Sequence, residues 1–168
     1  TFGHIDNEWD QVSRDYVEQG NRAITEIETS EPPLPSLPRV TSTAKGKSSH
    51  MCEGCYNATA AAELGFTCLD RHLIHHGGPN QKTEFGDIWD QETGRLYHVK
   101  KRTSSATLSH LWAQGEVAVD LYEKDSKYHQ KVLDTLPGIG LPNSPRDITL
   151  VYAVACELDK PLSESLFF

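Results

Sequence analysis

The sequence predicts an α/β domain in which a helix, three strands, a second helical region and a last strand follow one another. Residues 53–64 (EGCYNATAAAEL) are rich in alanine and stop at Gly65, which is typical of a helix followed by a terminating glycine. Two runs of strand-forming residues flank a turn-forming segment at 90–94, which indicates a hairpin. Residues 147–156 (DITLVYAVAC) are nearly all apolar, as expected for a strand covered on both faces.

The N-terminal part is expected to precede this domain as a helix and a linker. Ile5, Trp9, Val12 and Tyr16 recur at three- and four-residue steps opposite an acidic face, which predicts an amphipathic helix at 4–28. Residues 29–50 combine four prolines with the small polar run TSTAKGKSSH, which is typical of a linker and marks the expected domain boundary. The predicted organisation is therefore a helix at 1–28, a linker at 29–50 and an α/β domain at 51–168.

Within the domain, strands are expected at 66–74, 84–89 and 95–102. Gly94 ends the turn between the last two of these strands, where its freedom to adopt positive φ suits a tight connection. Polar residues at 103–107 suit the start of a helix over 108–125, and 126–136 predict a further helical turn or two. A loop with three prolines at 137–146 leads to the last strand.

Composition and charge narrow the classes of function. A net charge of −8 over 168 residues argues against a protein that binds nucleic acid over its whole surface, although a nuclease can concentrate positive charge locally. The longest apolar runs fall short of the roughly 18 residues that span a membrane. The start TFGHIDNEWD lacks both Met and a signal-peptide core, so we expect a fragment or processed product. Four irregularly spaced cysteines predict reduced thiols and a cytoplasmic protein.

The residues that could carry chemistry gather in the stretch 84–102. Because side chains alternate along a strand, His98 and Lys100 share one face while Val99 enters the core. The hairpin brings Asp87 within reach of that strand. Carboxylates are preferred ligands of Mg²⁺, and a nearby lysine can stabilise charge that develops on a phosphate. The alternative is a cross-strand ion pair on a solvated sheet, which would contribute less than about 1 kcal/mol.

The order helix, three strands, helix, strand, together with Gly86-Asp87-Ile88-Trp89 and His98-Val99-Lys100, resembles the core of the PD-(D/E)XK nuclease superfamily. The resemblance covers about residues 53–156. It implies a restriction-endonuclease-like αβββαβ core with a central mixed sheet flanked by helices. It also implies that Asp87 binds the metal and Lys100 is the catalytic lysine. Glu63 falls where many members carry an additional acid, with Glu53 as its competitor, and Gln114 falls where some members carry a supporting glutamine.

The sequence departs from this family at His98, which replaces the acidic residue of the D/E-x-K motif. A neutral imidazole can bind a divalent metal, and it suits Mn²⁺ or a transition metal better than Mg²⁺. Glu84 is the residue that would replace the missing carboxylate, although strict alternation puts it on the face opposite Asp87 unless the strand bulges.

A second resemblance concerns the run YHVKKR and LSHLWAQG, with YN near the first helix and LD on the first strand. These segments are similar to a sporadically distributed, poorly characterised prokaryotic family suspected of a role in defence against foreign DNA. This resemblance implies an intracellular nuclease.

Two further signals have alternative interpretations. The basic residues Arg95, Lys101 and Arg102 are candidates for phosphate contacts, or else ordinary solvated charges. The motif Cys52-Glu53-Gly54-Cys55, with histidines nearby, could bind zinc. Because a second CxxC is missing, two cysteines at the start of a helix are the favoured interpretation.

The sequence thus predicts a metal-dependent nuclease that uses Mg²⁺ or Mn²⁺, with zinc disfavoured. DNA is favoured over RNA as its substrate, and the sequence leaves both open. We expect no membrane contact, and a homodimer is compatible with this reading. Two alternatives stay open: a catalytically inactive nucleic-acid-binding module of the same fold, and a zinc-stabilised interaction domain. The predicted site comprises the catalytic residues Asp87, His98 and Lys100, the metal ligands Asp87, Glu63 and His98, the nucleic-acid contacts Lys101, Arg102 and Arg95, and the supporting residues Gln114 and Glu84.

Overall fold

A computed structural model describes residues 2–5, 8–11, 22, 34–35, 39–41, 48–77, 82–101 and 105–155. The chain divides into two compact units. The first comprises Thr1–Pro33 and Glu157–Phe168, and the second comprises Leu34–Cys156. The predicted sheet and its flanking helices all belong to the second unit.

The first unit contains a hairpin where the sequence predicted a helix. Strands β1 (Phe2–Ile5) and β2 (Glu8–Gln11) pair antiparallel, with Phe2 opposite Gln11 and Ile5 opposite Glu8. The helix predicted over 4–28 is therefore wrong up to residue 11. Asp6 and Asn7, which separate the two strands, are of the types that short hairpin connections prefer. Apart from the helical Arg22, residues 12–28 lie outside the described part of the chain.

The second unit begins inside the predicted linker. Strands β3 (Arg39–Thr41) and β4 (Ser48–His50) form an antiparallel pair, so the linker prediction is wrong for these residues. Leu34 packs against a core cluster, and the Tyr56 hydroxyl donates a hydrogen bond of 2.5 Å to the Pro35 carbonyl. These contacts move the boundary from residue 50 to Leu34.

The second unit is a mixed α/β structure with a mixed sheet flanked by helices, as predicted. Its four-stranded sheet is formed, in spatial order, by β10 (Thr149–Ala155), β9 (Arg95–Lys101), β8 (Ile88–Asp90) and β5 (Thr67–Cys68). The pairs β5–β8 and β8–β9 are antiparallel, and β9–β10 is parallel. None of the described helices combines the length and apolarity needed to cross a membrane. The remaining elements are α1 (Glu53–Leu64), β6 (Leu73–His75), β7 (Lys82–Glu84), α2 (Ser105–Lys124), α3 (Ser126–Thr135) and a 3-10 turn (Pro145–Asp147).

Local chemistry explains why α1 and the β8–β9 turn match their predictions. Cys52 caps the start of α1, and Gly65 ends it in the left-handed conformation at φ 72°. In the turn, the Asp90 carboxylate accepts the backbone N–H groups of Glu92 and Thr93, and Gly94 has φ 68°. Gly65, Asp90 and Gly94 are recognisable in the sequence as residues that end helices or form turns.

Two predicted strands are each divided. The segment predicted at 66–74 separates into β5 and β6, and the segment predicted at 84–89 separates into β7 and β8. Strands β6 and β7 pair with each other in a separate two-stranded sheet, with Leu73 opposite Glu84. Gly86 lies between β7 and β8, where the backbone approaches Leu96 so closely that a Cβ atom would stand 2.5 Å from its Cδ1. Glu84 and Asp87 therefore do not lie on one continuous strand, and the alternation of side chains does not decide which faces they occupy.

Core residues cover both faces of the sheet because neighbouring side chains on β8 and β9 alternate. Trp89 and Leu96 belong to a cluster with residues of α2 and α3, where the Trp89 indole donates to the Ile139 carbonyl at 2.9 Å. Ile88, Tyr97 and Val99 join a second cluster with α1. The sheet is thus held from both sides, and its strand positions are fixed relative to α1 and α2.

We predict that Gly86→Ala destabilises the protein by about 1–3 kcal/mol, since the new methyl group would overlap the Leu96 side chain. Urea denaturation of both proteins measures the change. In a Leu96→Ala background, the same substitution should cost less because the clashing atoms are gone. An equal cost in both backgrounds would contradict this explanation.

Candidate active site

One cleft of about 470 Å³ collects the residues of the predicted catalytic group. Asp87, His98 and Lys100 all line it, and Val99 of the same strand lines it too. The same cleft is lined by further polar residues, namely Glu53, Asp70, Arg71, Glu84, His110 and Gln114.

Asp87 lies between β8 and α1 and is held by two donors. Its Oδ2 accepts the Val99 backbone N–H at 2.7 Å, and its Oδ1 faces the Asn57 amide nitrogen at 3.4 Å. Burial raises the pKa of Asp87 to about 7; the Val99 N–H opposes this rise, whereas the charges of nearby acids, Glu84 first among them, add to it. A cation in the cleft would favour the ionised form of this carboxyl group.

His98 is a neutral imidazole with one free nitrogen. Its side chain is buried, with 3% exposure. Nε2 is buried and has no hydrogen-bond partner among the described residues. Burial lowers the pKa of His98 to about 4, and the Phe85 backbone opposes this effect. At neutral pH the imidazole is therefore uncharged, and in the tautomer protonated on Nδ1 its Nε2 carries the lone pair with which histidine binds metals.

Lys100 is paired with the first residue of α1. Its Nζ lies 2.8 Å from Glu53 Oε1, and the other oxygen of Glu53 accepts the Lys101 backbone N–H at 3.2 Å. The hydrogen bond that Lys100 donates to Glu53 raises the pKa of Lys100, against the effect of burial. Both partners are about one-third exposed, so solvent screens the pair and its contribution to stability is small.

The structure brings Glu53, and not Glu63, into the cleft. Glu63 is exposed near the end of α1 and does not line the cleft. Ten residues of helix separate the two acids, which corresponds to about 15 Å along the axis. Only the first turn of α1 meets the end of β9. Both Glu53 and Glu63 lie on the helix predicted from the sequence, so either could have been the additional acid of the site. The contact with Lys100 identifies Glu53.

The two predicted supporting residues also line the cleft. Gln114 reaches it from α2, and Glu84 reaches it from the end of β7. Sequence alternation had put Glu84 on the face opposite Asp87 unless the strand bulges, and the strand is interrupted at Gly86.

Two polar residues near Asp87 were given no role in the predicted site, although they stand in the YN and LD segments of the second resemblance. Asn57 is fully buried and its Oδ1 has no partner among the described residues. A polar residue within the alanine-rich segment was a further signal that could have identified it. Asp70 lines the cleft from the segment after β5, which had been predicted as continuous strand.

The predicted basic patch is not a single patch. The backbone N–H of Lys101 donates to Glu53, which lines the cleft, so Lys101 lies next to it. Arg95 begins the same strand, six residues and roughly 20 Å away, and does not line the cleft. Arg102 lies outside the described residues.

The CxxC motif forms a disulfide. Cys52 and Cys55 are bonded to each other with a Cα–Cα distance of 5.2 Å, so the prediction of reduced thiols is wrong for this pair. Their helix-start position agrees with the favoured interpretation, and in this state their sulfurs are not available to zinc. Cys68 is a free thiol, and Cys156 lies outside the described residues. Within the described ranges, no three or more His, Cys, Asp or Glu side chains are grouped so that they could hold a metal ion by themselves.

Comparison with known proteins gives one match. A family model described as a family of unknown function (DUF6119) matches residues 1–168. No curated protein and no solved structure matches the chain.

Proposed function

We propose that this chain, which belongs to the family of unknown function DUF6119, is a metal-dependent nuclease that hydrolyses phosphodiester bonds in DNA. The observation that carries the proposal is the convergence of Asp87, His98 and Lys100 on one cleft. An acid, a neutral imidazole and an ammonium group are the components needed to hold a divalent cation against a phosphate.

The donor set fits a divalent metal. Asp87 offers a carboxylate, and His98 offers a buried Nε2 that has no partner among the described residues. Mg²⁺ is commonly bound by one or two protein groups, with water and substrate phosphate completing its shell. Because no group of three such ligands exists among the described side chains, water and phosphate oxygens would have to complete the shell here. The imidazole favours Mn²⁺ over Mg²⁺ as the cofactor.

Each residue then has a distinct role. A metal bound there would lower the pKa of a water molecule and polarise the phosphodiester. Lys100 donates to a non-bridging phosphate oxygen and stabilises the charge that develops during attack. Glu53 holds the Lys100 side chain in place, at 2.8 Å from its Nζ. Gln114 lines the same cleft from α2, where its amide can orient the substrate or a water molecule.

The topology supports the same proposal. In sequence, α1, β5, β8, β9, α2 and β10 follow the order αβββαβ, with the small β6–β7 sheet inserted. β9 lies between an antiparallel and a parallel neighbour in a mixed sheet. This arrangement is compatible with the restriction-endonuclease-like core implied by the sequence resemblance. The second resemblance suggests defence against foreign DNA as the biological role. Plating phage on cells that produce the protein tests this role.

Plasmid cleavage tests the proposed activity. We expect the wild-type protein to nick or linearise supercoiled DNA with Mn²⁺ or Mg²⁺ and to stop when the metal is chelated. Lys100→Ala should lose this activity, whereas Lys127→Ala, which removes an exposed lysine of α3, should keep it. Absence of cleavage with either metal, or undiminished cleavage by Lys100→Ala, would overturn the proposal.

A catalytically inactive nucleic-acid-binding module of the same fold is the second candidate. It is favoured by the pairing of Lys100 with Glu53 and by His98 at the position of an acidic residue. Fluorescence anisotropy with labelled DNA separates the two functions. The second candidate predicts binding that weakens steeply with salt, without turnover under any metal.

A further inference from the structure

We propose that the Cys52–Cys55 disulfide is a redox site through which a dithiol controls the position of Glu53 and, through it, Lys100. The consequence for catalysis rests on the proposed nuclease function, whereas the link between the disulfide and Glu53 does not. Cys52 is the N-cap of α1, and both cysteines are exposed, so a reductant can reach the bond. Cys52 also lines the cleft.

The disulfide encloses the residue that contacts Lys100. Glu53 and Gly54 are the two residues between the bonded cysteines. Glu53 uses both carboxylate oxygens, one on Lys100 Nζ and the other on the Lys101 backbone N–H. The first turn of α1 therefore connects the disulfide directly to the end of β9.

The same turn packs closely against another acid of the cleft. A Cβ atom added at Gly54 would lie 2.7 Å from the Asp70 carboxylate oxygen Oδ2, so the backbone here tolerates little displacement toward Asp70. A shift of this turn would change the spacing of two of the carboxylates that line the cleft.

Apart from the disulfide, this turn is held by the contacts of Glu53 with β9 and of Tyr56 with the core, and its exposed N-terminal end depends on a weak cap. Glycine has high conformational entropy, and Gly54 lies in the first turn. The cap is a sulfur atom, since Cys52 Sγ accepts the Cys55 N–H at 3.1 Å. Cysteine is not among the residues that cap helices well, and the ends of helices fray first. Reduction is therefore expected to free the first turn and release Glu53 from Lys100.

The redox step is an ordinary thiol–disulfide exchange. One thiolate of a dithiol attacks a sulfur of the Cys52–Cys55 bond, and the other cysteine leaves as a thiolate that takes a proton from water. The second thiol of the reductant then attacks the mixed disulfide. The protein gains two electrons and two protons, and the reductant becomes a disulfide.

Amide hydrogen exchange on the metal-free full chain, with dithiothreitol as the reductant, tests the link. Exchange at the Lys101 amide, which is bonded to Glu53, should rise by about tenfold or more on reduction. The Val99 amide, which is bonded to Asp87, is the internal control and should not change. An unchanged rate at Lys101, or an equal rise at both amides, would overturn the proposal.

Variants assign the response to the correct cysteines. In Cys55→Ser, the Lys101 amide should exchange at the rate of the reduced protein, and dithiothreitol should not change that rate. Cys68→Ser, which removes the free thiol, should respond like the wild type. A response that persists in Cys55→Ser or disappears in Cys68→Ser would refute the assignment.

Cleavage by Cys55→Ser tests the catalytic consequence without a reductant that binds metals. We expect it to fall by about tenfold, because misplacing a catalytic group lowers the rate. If the wild type cleaves DNA and Cys55→Ser cleaves it equally well, the disulfide does not affect catalysis. Absence of wild-type cleavage would refute the proposed nuclease function, and hydrogen exchange would still decide the structural link.

Discussion

The Asp87→Asn variant is expected to lose metal-dependent cleavage by at least about 100-fold and to be more stable than the wild type without metal. The loss follows from removing the carboxylate proposed to hold the cation. The gain follows from the environment of Asp87, which is largely buried and lies near other acids. An asparagine keeps the bond to the Val99 N–H, and its Nδ2 takes the place of the oxygen that faces the Asn57 amide nitrogen. A half-turn of the Asn57 amide then brings its Oδ1, which has no partner among the described residues, to that donor.

The stability difference should depend on pH in a defined direction. The pKa of Asp87 is raised from 3.8 to about 7, so the folded state binds its proton more tightly than the unfolded state. The wild type therefore gains stability as pH falls from above 7 to about 4. Above pH 7, the destabilisation caused by the ionised Asp87 carboxylate is fully present. At 1.36 kcal/mol per pKa unit, we expect Asp87→Asn to be more stable by about 2–4 kcal/mol near pH 8.5.

Urea denaturation at several pH values measures this difference. The advantage of Asp87→Asn should shrink as pH falls and be lost near pH 4, whereas Asp134→Asn, at an exposed position of α3, should follow the wild type. Mn²⁺ should raise the melting temperature of the wild type and not that of Asp87→Asn, since only the former offers the carboxylate. A destabilised Asp87→Asn at high pH would mean that Asp87 serves the fold and not a cation.

Elements with local signals were predictable from the sequence. The helix at 53–64 was placed correctly because its terminating glycine is encoded locally, and the hairpin turn was found because Asp90 and Gly94 are turn formers. Strand alternation also assigned His98 and Lys100 to one face, and both residues line the cleft.

Features that depend on distant contacts were not predictable. Nothing near Gly86 in the sequence indicates that the backbone must pass against Leu96, so the break between β7 and β8 was not predicted, and Glu84 could be assigned to the site only on the condition that the strand bulges. Glu53 and Glu63 are equivalent by sequence, and only the contact with Lys100 separates them. The apolar spacing of Ile5 and Trp9 suited a helix, whereas the chain forms a hairpin there.

The His98→Asp variant is expected to reverse the metal preference. Aspartate restores the acidic residue of the D/E-x-K pattern, and its oxygens suit Mg²⁺, whereas the imidazole Nε2 suits Mn²⁺. The ratio of cleavage rates with Mg²⁺ and Mn²⁺ should rise by about tenfold or more, since a tenfold change needs only about 1.4 kcal/mol of differential metal binding. Plasmid cleavage in each metal, at matched protein concentration, measures the ratio.

The same substitution should lower stability in the absence of metal. His98 is buried, and an aspartate there would add a buried negative charge to the cleft that Asp87 also lines. We expect a loss of about 1–3 kcal/mol, which Mg²⁺ should offset. His98→Asn is the matched control, because it has the size of aspartate without the charge and should cleave poorly with both metals. An unchanged Mg²⁺ to Mn²⁺ ratio in His98→Asp, with the protein still folded, would show that residue 98 does not contact the cation, and Asp87 would then have to be its principal protein ligand.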